Sequence, residues 1–290
     1  MNSEEVYTLI NPLNGNLAFK VFSFEGVGFF DHVQHNNYYT IIWVKEGSGN
    51  VKADFSNYVF RAHQLFAFSP YQPFMFNAEK ISGIAINFHP DFFCIHHHQN
   101  EVACNGVLFN NIYHPPFLDV PATAADTFNM LLMQMKIEIR NNALAQYELL
   151  VSYLKIFLIT ASRLKTEQHP AAQKAISELK EPFILQNLKE AIEKDFKTKH
   201  SASDYADALH ISPKALAKIT KTHFNKTLTD LISERIIIEA KRELYLTDKT
   251  VKEIAYDLGY NDEYYFSRFF KINTEVSPQM YRDTVGFGKA

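Results

Sequence analysis

Ile236–Arg282 reads IIIEAKRELYLTDKTVKEIAYDLGYNDEYYFSRFFKINTEVSPQMYR. A long apolar-periodic stretch ends near Leu246. A second helix is predicted over Val251–Leu258, a tight turn at Gly259-Tyr260-Asn261-Asp262, and a third helix over Glu263–Ile272. Helix, short Gly-containing turn and helix make a unit that can lay its second helix in the major groove of duplex DNA.

The pattern occurs twice. Ala206-Asp207-Ala208-Leu209 matches Ala255-Tyr256-Asp257-Leu258. After a one-residue difference in the turn, Leu216-Ala217-Lys218-Ile219 matches Phe266-Ser267-Arg268-Phe269, and Lys221 matches Lys271. A unit repeated about 50 residues apart outweighs any single local reading. Start signals agree with it. Ser201-x-x-Asp204 and Thr250-x-x-Glu253 have the form of capping boxes, and Ser212-Pro213 and Ser277-Pro278 each put an N-cap before a proline.

On a helix over Pro213–Thr222, Leu216 and Ile219 point inward. Lys214, Ala217, Lys218 and Lys221 share the opposite face. In the second unit Phe266, Phe269 and Phe270 point inward while Tyr264, Ser267, Arg268 and Lys271 take the outer face. Arg268 carries a planar fork suited to guanine N7 and O6. Lys218 suits a base or a phosphate, and Lys214, Lys221 and Lys271 suit phosphates. Glu263 either accepts from cytosine N4 or favours the helix dipole. A connecting helix over Asp230–Leu246 spans about 25 Å, which sets the two outer faces about 34 Å apart, one DNA turn.

The first 121 residues read as all-β. Strands are expected at Phe19–Phe24, Tyr38–Val44, Val51–Phe55, Leu65–Phe68, Phe74–Phe76 and Ile81–Phe88, with Glu46-Gly47-Ser48-Gly49-Asn50 as the clearest separator. Short strands at this spacing argue for a sandwich or barrel. Trp43, Phe66 and Phe68 are candidate linings of an apolar pocket for a small-molecule effector, either a sugar by stacking or an apolar metabolite by burial. Residues 122–166 switch to helical period. The stripes Phe128, Leu131, Leu132, Met135, Ile139 and Leu150, Leu154, Phe157, Leu158, Ala161 form a helical hairpin turning at Arg140-Asn141-Asn142. Both stripes could lie on the barrel, but their length leaves apolar surface for a homodimer, which is the expected partner. Thr166–Ala172, polar and holding Pro170, is the linker candidate.

Composition narrows the classes. The first 169 residues carry ten Lys and Arg against fourteen Asp and Glu, and the rest carry nineteen against eighteen. A DNA footprint must therefore come from placement of charge rather than its sum. No apolar run approaches a membrane span, and the N-terminus has no signal-peptide form, so a cytoplasmic chain is expected. Cys94 and Cys104 suggest no disulfide framework. An enzyme reading would need a metal site. His32, His35 and Glu46 faintly resemble half of a cupin metal motif, but Phe74-Met75 stand where its other histidine belongs. His89 and His96-His97-His98 are zinc-capable in type only. No phosphate loop, nucleophile motif or dinucleotide fingerprint is present, so no cofactor and no enzyme activity are expected.

Ala240-Lys241-Arg242-x-Leu244, Ile254-Ala255-x-x-Leu258-Gly259-Tyr260, Tyr265-Phe266-Ser267-Arg268-Phe269-Phe270-Lys271 and Ser277-Pro278-x-x-Tyr281-Arg282 resemble the signature of AraC-type transcription regulators, over roughly residues 180–285. The resemblance implies an α+β two-domain chain: an N-terminal cupin-like β-barrel plus helical hairpin, and a C-terminal all-α domain with two helix-turn-helix units. It implies an effector-sensing or dimerising barrel, here 1–121, and the DNA-binding domain at 181–290, while the residues themselves put a dimerisation hairpin at 122–166 and a linker region at 167–180 between them. The family's groove-facing positions fall on Lys214, Ala217, Lys218, Glu263, Tyr264, Ser267 and Arg268. Promoter DNA is the implied partner, with RNA polymerase a candidate second one. The family's usual glycine after the second recognition helix is Glu275 here, and Asn225 takes the corresponding place in the first unit. Glu adopts a left-handed backbone less readily than Asn, so a different helix end is expected near Asn273–Val276.

Overall fold

A computed structural model describes residues 5–12, 15–141, 143–168 and 183–286. They divide into two compact units, one built mainly from residues up to 168 and the other mainly from residues 183–286. The first is antiparallel β with a helical hairpin and the second is all-α, which makes the chain α+β.

The first unit contains β1 (Val6–Ile10), β2 (Leu17–Glu25), β3 (Tyr39–Ala53), β4 (Ser56–Phe60), β5 (Gln64–Phe68), β6 (Phe74–Phe88) and β7 (Phe117–Asp119). They form one sheet in the order β1-β2-β6-β3-β5-β7, with β4 beside β3. The short helix α1 (Gln99–Val102) follows β6, and α2 (Ala122–Arg140) and α3 (Gln146–Gln168) follow β7.

Two expected strand breaks are absent. Tyr38–Val44 and Val51–Phe55 merge into β3, and Phe74–Phe76 and Ile81–Phe88 merge into β6. The stretch Glu46–Asn50 is not a separator. Its ladder with β6 continues across register shifts between Val44 and Glu46 and between Gly47 and Gly49. A Cβ on Gly47 would lie 2.2 Å from Lys80 O, and one on Gly49 would lie 2.2 Å from Asn77 O. These glycines admit a close backbone approach at a bulge, which composition alone does not distinguish from a turn. The sequence reading also missed β1, β4 and β7, which are short.

Alternation along the strands divides the apolar residues between two faces. Ile41, Trp43, Leu65, Ala67, Ile86 and Phe88 pack in one cluster with Phe128, Leu131, Leu132 and Met135 of α2 and Leu150, Leu154, Phe157, Leu158 and Ala161 of α3. Phe22, Phe24, Ile42, Val44, Phe66, Phe68, Phe74, Phe76 and Ala85 pack in a second cluster on the other face. The two helical stripes therefore bury against their own sheet, and Leu154 is fully buried within its own unit. This corrects the expectation that those stripes meet a second subunit. The outward apolar residues are Met130, Met133 and Ile137 on α2 and Leu149 and Ile156 on α3.

The expected linker also starts later. Helix α3 runs through Thr166 and Glu167 to Gln168. Its end is held because the Gln168 amide brackets Asp119, donating to its carbonyl at 2.6 Å and accepting from its N–H at 2.8 Å. Residues 169–180 of the linker region, residues 181–182 at the start of the expected DNA-binding domain, and Asn142 of the hairpin turn lie outside the described residues.

The second unit runs α4 (Phe183–Asp195), α5 (Ala202–Ala208), α6 (Pro213–Phe224), α7 (Leu228–Leu246), α8 (Val251–Asp257), α9 (Glu263–Thr274) and α10 (Pro278–Val285). The apolar side of α7 supplies Leu231, Ile232, Ile236, Ala240 and Leu244 to the core. At 19 residues the helix is about 28 Å long.

Candidate nucleic-acid interface

Two helix-turn-helix units flank α7, and their construction matches closely. The turn after α5 places His210 at φ 53, and the turn after α8 places Gly259 at φ 80. The second turn is tighter in space, since a Cβ on Gly259 would fall 2.1 Å from Lys197 O. Each following helix is capped by a side-chain oxygen that satisfies an orphan amide. Ser212 Oγ accepts from Ala215 N at 3.2 Å, and Asp262 Oδ1 accepts from Tyr265 N at 2.6 Å.

Burial repeats every fourth residue. Leu216, Thr220 and Phe224 are buried in α6, and Phe266, Phe270 and Thr274 in α9. Ile219 and Phe269, expected inside, are not fully buried. Thr220 and Thr274 take interior places because their hydroxyls donate along their own helices, to Ala217 O and Phe270 O. Asn225 at φ 56 and Glu275 at φ 64 end the two helices in the same left-handed conformation. The expected difference at Glu275 is therefore not found. The chain accepts the strain there and keeps the helix end.

On the outer faces Lys214, Ala217, Lys218 and Lys221 are exposed, as are Tyr264 and Lys271. Glu263 and Ser267 are half-buried, and Arg268 is exposed. Among the described residues Lys214, Lys218, Arg268 and Lys271 have no hydrogen-bond or ion-pair partner, and Lys221 has only a long contact with Asn225 O at 3.5 Å.

The cations on and beside α7 are engaged instead. Arg235 pairs with Glu193 at 2.8 Å and Glu239 at 3.2 Å. Arg242 pairs with Glu239 at 2.9 Å and Glu243 at 3.2 Å. Lys249 bridges Glu243 of α7 and Asp257 of α8 at 2.9 and 2.8 Å, and hydrogen bonds to those carboxylates hold its ammonium well above the usual lysine range. Free cations thus lie on α6 and α9, while paired ones brace the helix between them.

Beside α9 lies a cleft of about 560 Å³ lined by His200, Gly259, Tyr260, Asn261, Asp262, Tyr264, Tyr265 and Arg268. The sequence reading missed His200 and Tyr265. His200 stacks on Tyr260 with ring centroids 4.9 Å apart, a tertiary contact that no local pattern announces. Burial pushes the Tyr260 phenol up, so it stays protonated.

A sequence profile described as a helix-turn-helix domain matches residues 205–284, the span of both units. Residues 205–284 form an AraC-type helix-turn-helix domain. The chain is 26% identical over 140 residues to the raffinose operon transcriptional regulatory protein RafR of Pediococcus pentosaceus, covering 48% of this chain and 46% of that one. It is 36% identical over 67 residues to the regulatory protein SoxS of Escherichia coli (strain K12), covering 23% of this chain and 63% of SoxS. The chain spans about half of the first relative's length and under two thirds of the second's. Among solved structures, an apo form of ToxT from Vibrio cholerae aligns loosely over 98% of this chain and 97% of its own at 16% identity, with a TM-score of 0.42.

The first unit does not bring the three candidate pocket residues together. Phe66 and Phe68 belong to the phenylalanine cluster, where Phe68 stacks on Phe74 at 3.8 Å. Trp43 pairs with Leu65 and faces the other way, edge-on to Phe128 with centroids 5.7 Å apart. Strand parity is the reason, because residue 43 and residues 66 and 68 sit on opposite sides of one ladder.

The histidines of the alternative metal reading are spread out. His32 Nδ1 lies 3.0 Å from Asp31, and His98 Nδ1 lies 2.9 Å from Glu101. Among the described residues no group of three or more His, Cys, Asp or Glu side chains is placed to hold a metal ion. Burial pushes the Cys104 thiol up to about 12, so at neutral pH it carries almost no thiolate. No described helix is long and apolar enough to cross a membrane.

Proposed function

We propose that this chain is a sequence-specific DNA-binding transcription regulator whose AraC-type domain reads duplex promoter DNA through α6 and α9. The observation that carries this is the unpartnered, exposed set Lys214, Lys218, Arg268 and Lys271 on two helices that are each capped by a side-chain oxygen. Cations with no protein partner lose no ion pair when they meet phosphates, and their counterion release makes binding salt-dependent.

Arg268 reads a base edge, Lys218 a base or a phosphate, and Lys214, Lys221 and Lys271 fix register on the backbone. Ala217, Tyr264, Ser267 and Glu263 complete the contact faces, with Glu263 accepting from a base or favouring the helix start. The capping and ion pairs of α7 support a fixed spacing between the two readers.

The first unit senses a small effector, and the chain works as a homodimer. The outward stripe of Met130, Met133 and Ile137 supports self-association through the hairpin, in place of the buried stripes. We assign no catalytic role, no metal and no cofactor, and we place the protein in the cytoplasm with RNA polymerase as a further partner.

Enrichment from a random duplex library with the full chain tests the reading. The expected result is a motif with two blocks about one helical turn apart. Sequence-independent retention, or no retention at low salt, would overturn it.

A further inference from the structure

The pairing registers place Lys20 of β2, Asn87 of β6, Thr40 of β3 and Phe68 of β5 in one row across the sheet, all on the face of the phenylalanine cluster. The next row along reads Phe22, Ala85, Ile42 and Phe66. Paired strands lie about 4.8 Å apart, so the row is about 14 Å wide and Thr40 and Asn87 are direct neighbours.

Thr40 is 1% exposed and Asn87 5%, yet Thr40 Oγ1 and Asn87 Oδ1 have no hydrogen-bond partner. Two buried polar atoms left open side by side on an otherwise apolar face are costly. Lys20, half-buried at the end of the same row, has no carboxylate partner among the described residues, and its ammonium lies 4.4 Å from the Phe22 ring centroid.

We propose that this row is the polar anchor of the effector site and that its ligand is a small hydroxylated carboxylate with an apolar body. The inference rests on the reading of the first unit as an effector sensor. Asn87 Oδ1 requires a donor and Thr40 Oγ1 a donor or acceptor, and one ligand hydroxyl supplies both roles. The Lys20 ammonium attracts the carboxylate. The Phe22, Ala85, Ile42 and Phe66 row, in which Ala85 is the one small side chain, receives the apolar body. Trp43 takes no part.

Calorimetric titration of the full chain with mandelate and with phenylacetate, which lacks the hydroxyl, tests the assignment without DNA. Mandelate is expected to bind saturably, about tenfold tighter than phenylacetate, the worth of one good hydrogen bond. Thr40→Val should bring the two affinities together and raise the melting temperature of the unliganded chain, because it removes an unsatisfied hydroxyl. Lys20→Gln, at a half-exposed position, should weaken both ligands about tenfold and keep their ratio.

Absence of saturable mandelate binding, equal affinities in the unaltered chain, or a ratio retained in Thr40→Val would overturn the proposal. So would a lower melting temperature in Thr40→Val without ligand binding, which marks a bridging water alone. Enrichment from the duplex library is read separately, so failure of this subsite leaves the DNA reading standing and the reverse also holds.

Discussion

Arg282 of α10 donates from Nε to the main-chain oxygen of Leu244 at 3.0 Å, at the C-terminal end of α7. Its Nη2 reaches Lys249 O at 2.6 Å and Thr247 O at 3.5 Å. One guanidinium thus serves the carbonyls that a helix end leaves unpaired and ties α10 to the turn before α8. Arg282→Lys keeps the charge but loses the fork. It should cost about 1.5–3 kcal/mol in urea unfolding of the full chain, the range for hydrogen bonds to charged groups. An unchanged midpoint would show that the clasp contributes nothing.

Glu275 holds φ 64 where the backbone favours glycine. Glu275→Gly should therefore stabilise the chain by about 1 kcal/mol, and Asn225→Gly by less, because asparagine tolerates that conformation. Thermal unfolding of the two variants checks this. A loss of stability in Glu275→Gly would mean that the side chain contributes more than the strain costs.

Gly259 is the opposite case. Its φ is 80, and Lys197 O lies 2.1 Å from the place a Cβ would occupy. Gly259→Ala should destabilise by more than about 1 kcal/mol and weaken DNA binding with it. A variant with the melting temperature of the unaltered chain would contradict the close approach.

Glu234 and Lys226 form a buried pair, with Oε2 and Nζ 2.6 Å apart. Burial outweighs the ammonium and raises the Glu234 carboxyl from 4.5 to about 8. A folded value above the unfolded one contributes stability that is fully present below pH 4.5 and is lost as pH rises through about 8. Chemical unfolding between about pH 5 and about pH 8 should show that decline, at no more than about 1.4 kcal/mol per pH unit from this group. Glu234→Gln should flatten it, and an equal slope in both proteins would remove Glu234 as its source.

The helical unit was readable because its signals are local and doubled. Caps at Ser201, Ser212, Thr250 and Ser277 lie within four residues of what they cap, and two copies of one pattern fix the register. The interior errors set Ile219 inside where Thr220 belongs, added Phe269 beside Phe270, and left Thr274 beyond the expected helix. A threonine that bonds its own helix looks polar in sequence but is satisfied when buried. The sheet was harder. Gly47 and Gly49 have the composition of a turn and the geometry of a bulge. Trp43 and Phe66 are both aromatic and both buried, and only the register of β3 against β5 shows that they face opposite ways. The stripes of α2 and α3 were visible, but an apolar stripe does not say whether its own sheet or a second chain covers it. His200 reaches the second turn through a contact between elements distant in sequence.

The most direct test compares Arg268→Ala and Lys221→Ala on the duplex enriched by the full chain and on its single-base-pair variants. Arg268→Ala should cost about 1–3 kcal/mol at the preferred site and abolish discrimination at one base pair. Lys221→Ala should weaken every duplex nearly equally and lower the salt dependence of binding. Equal, sequence-independent losses for both variants would contradict the claim that α9 reads DNA sequence through Arg268.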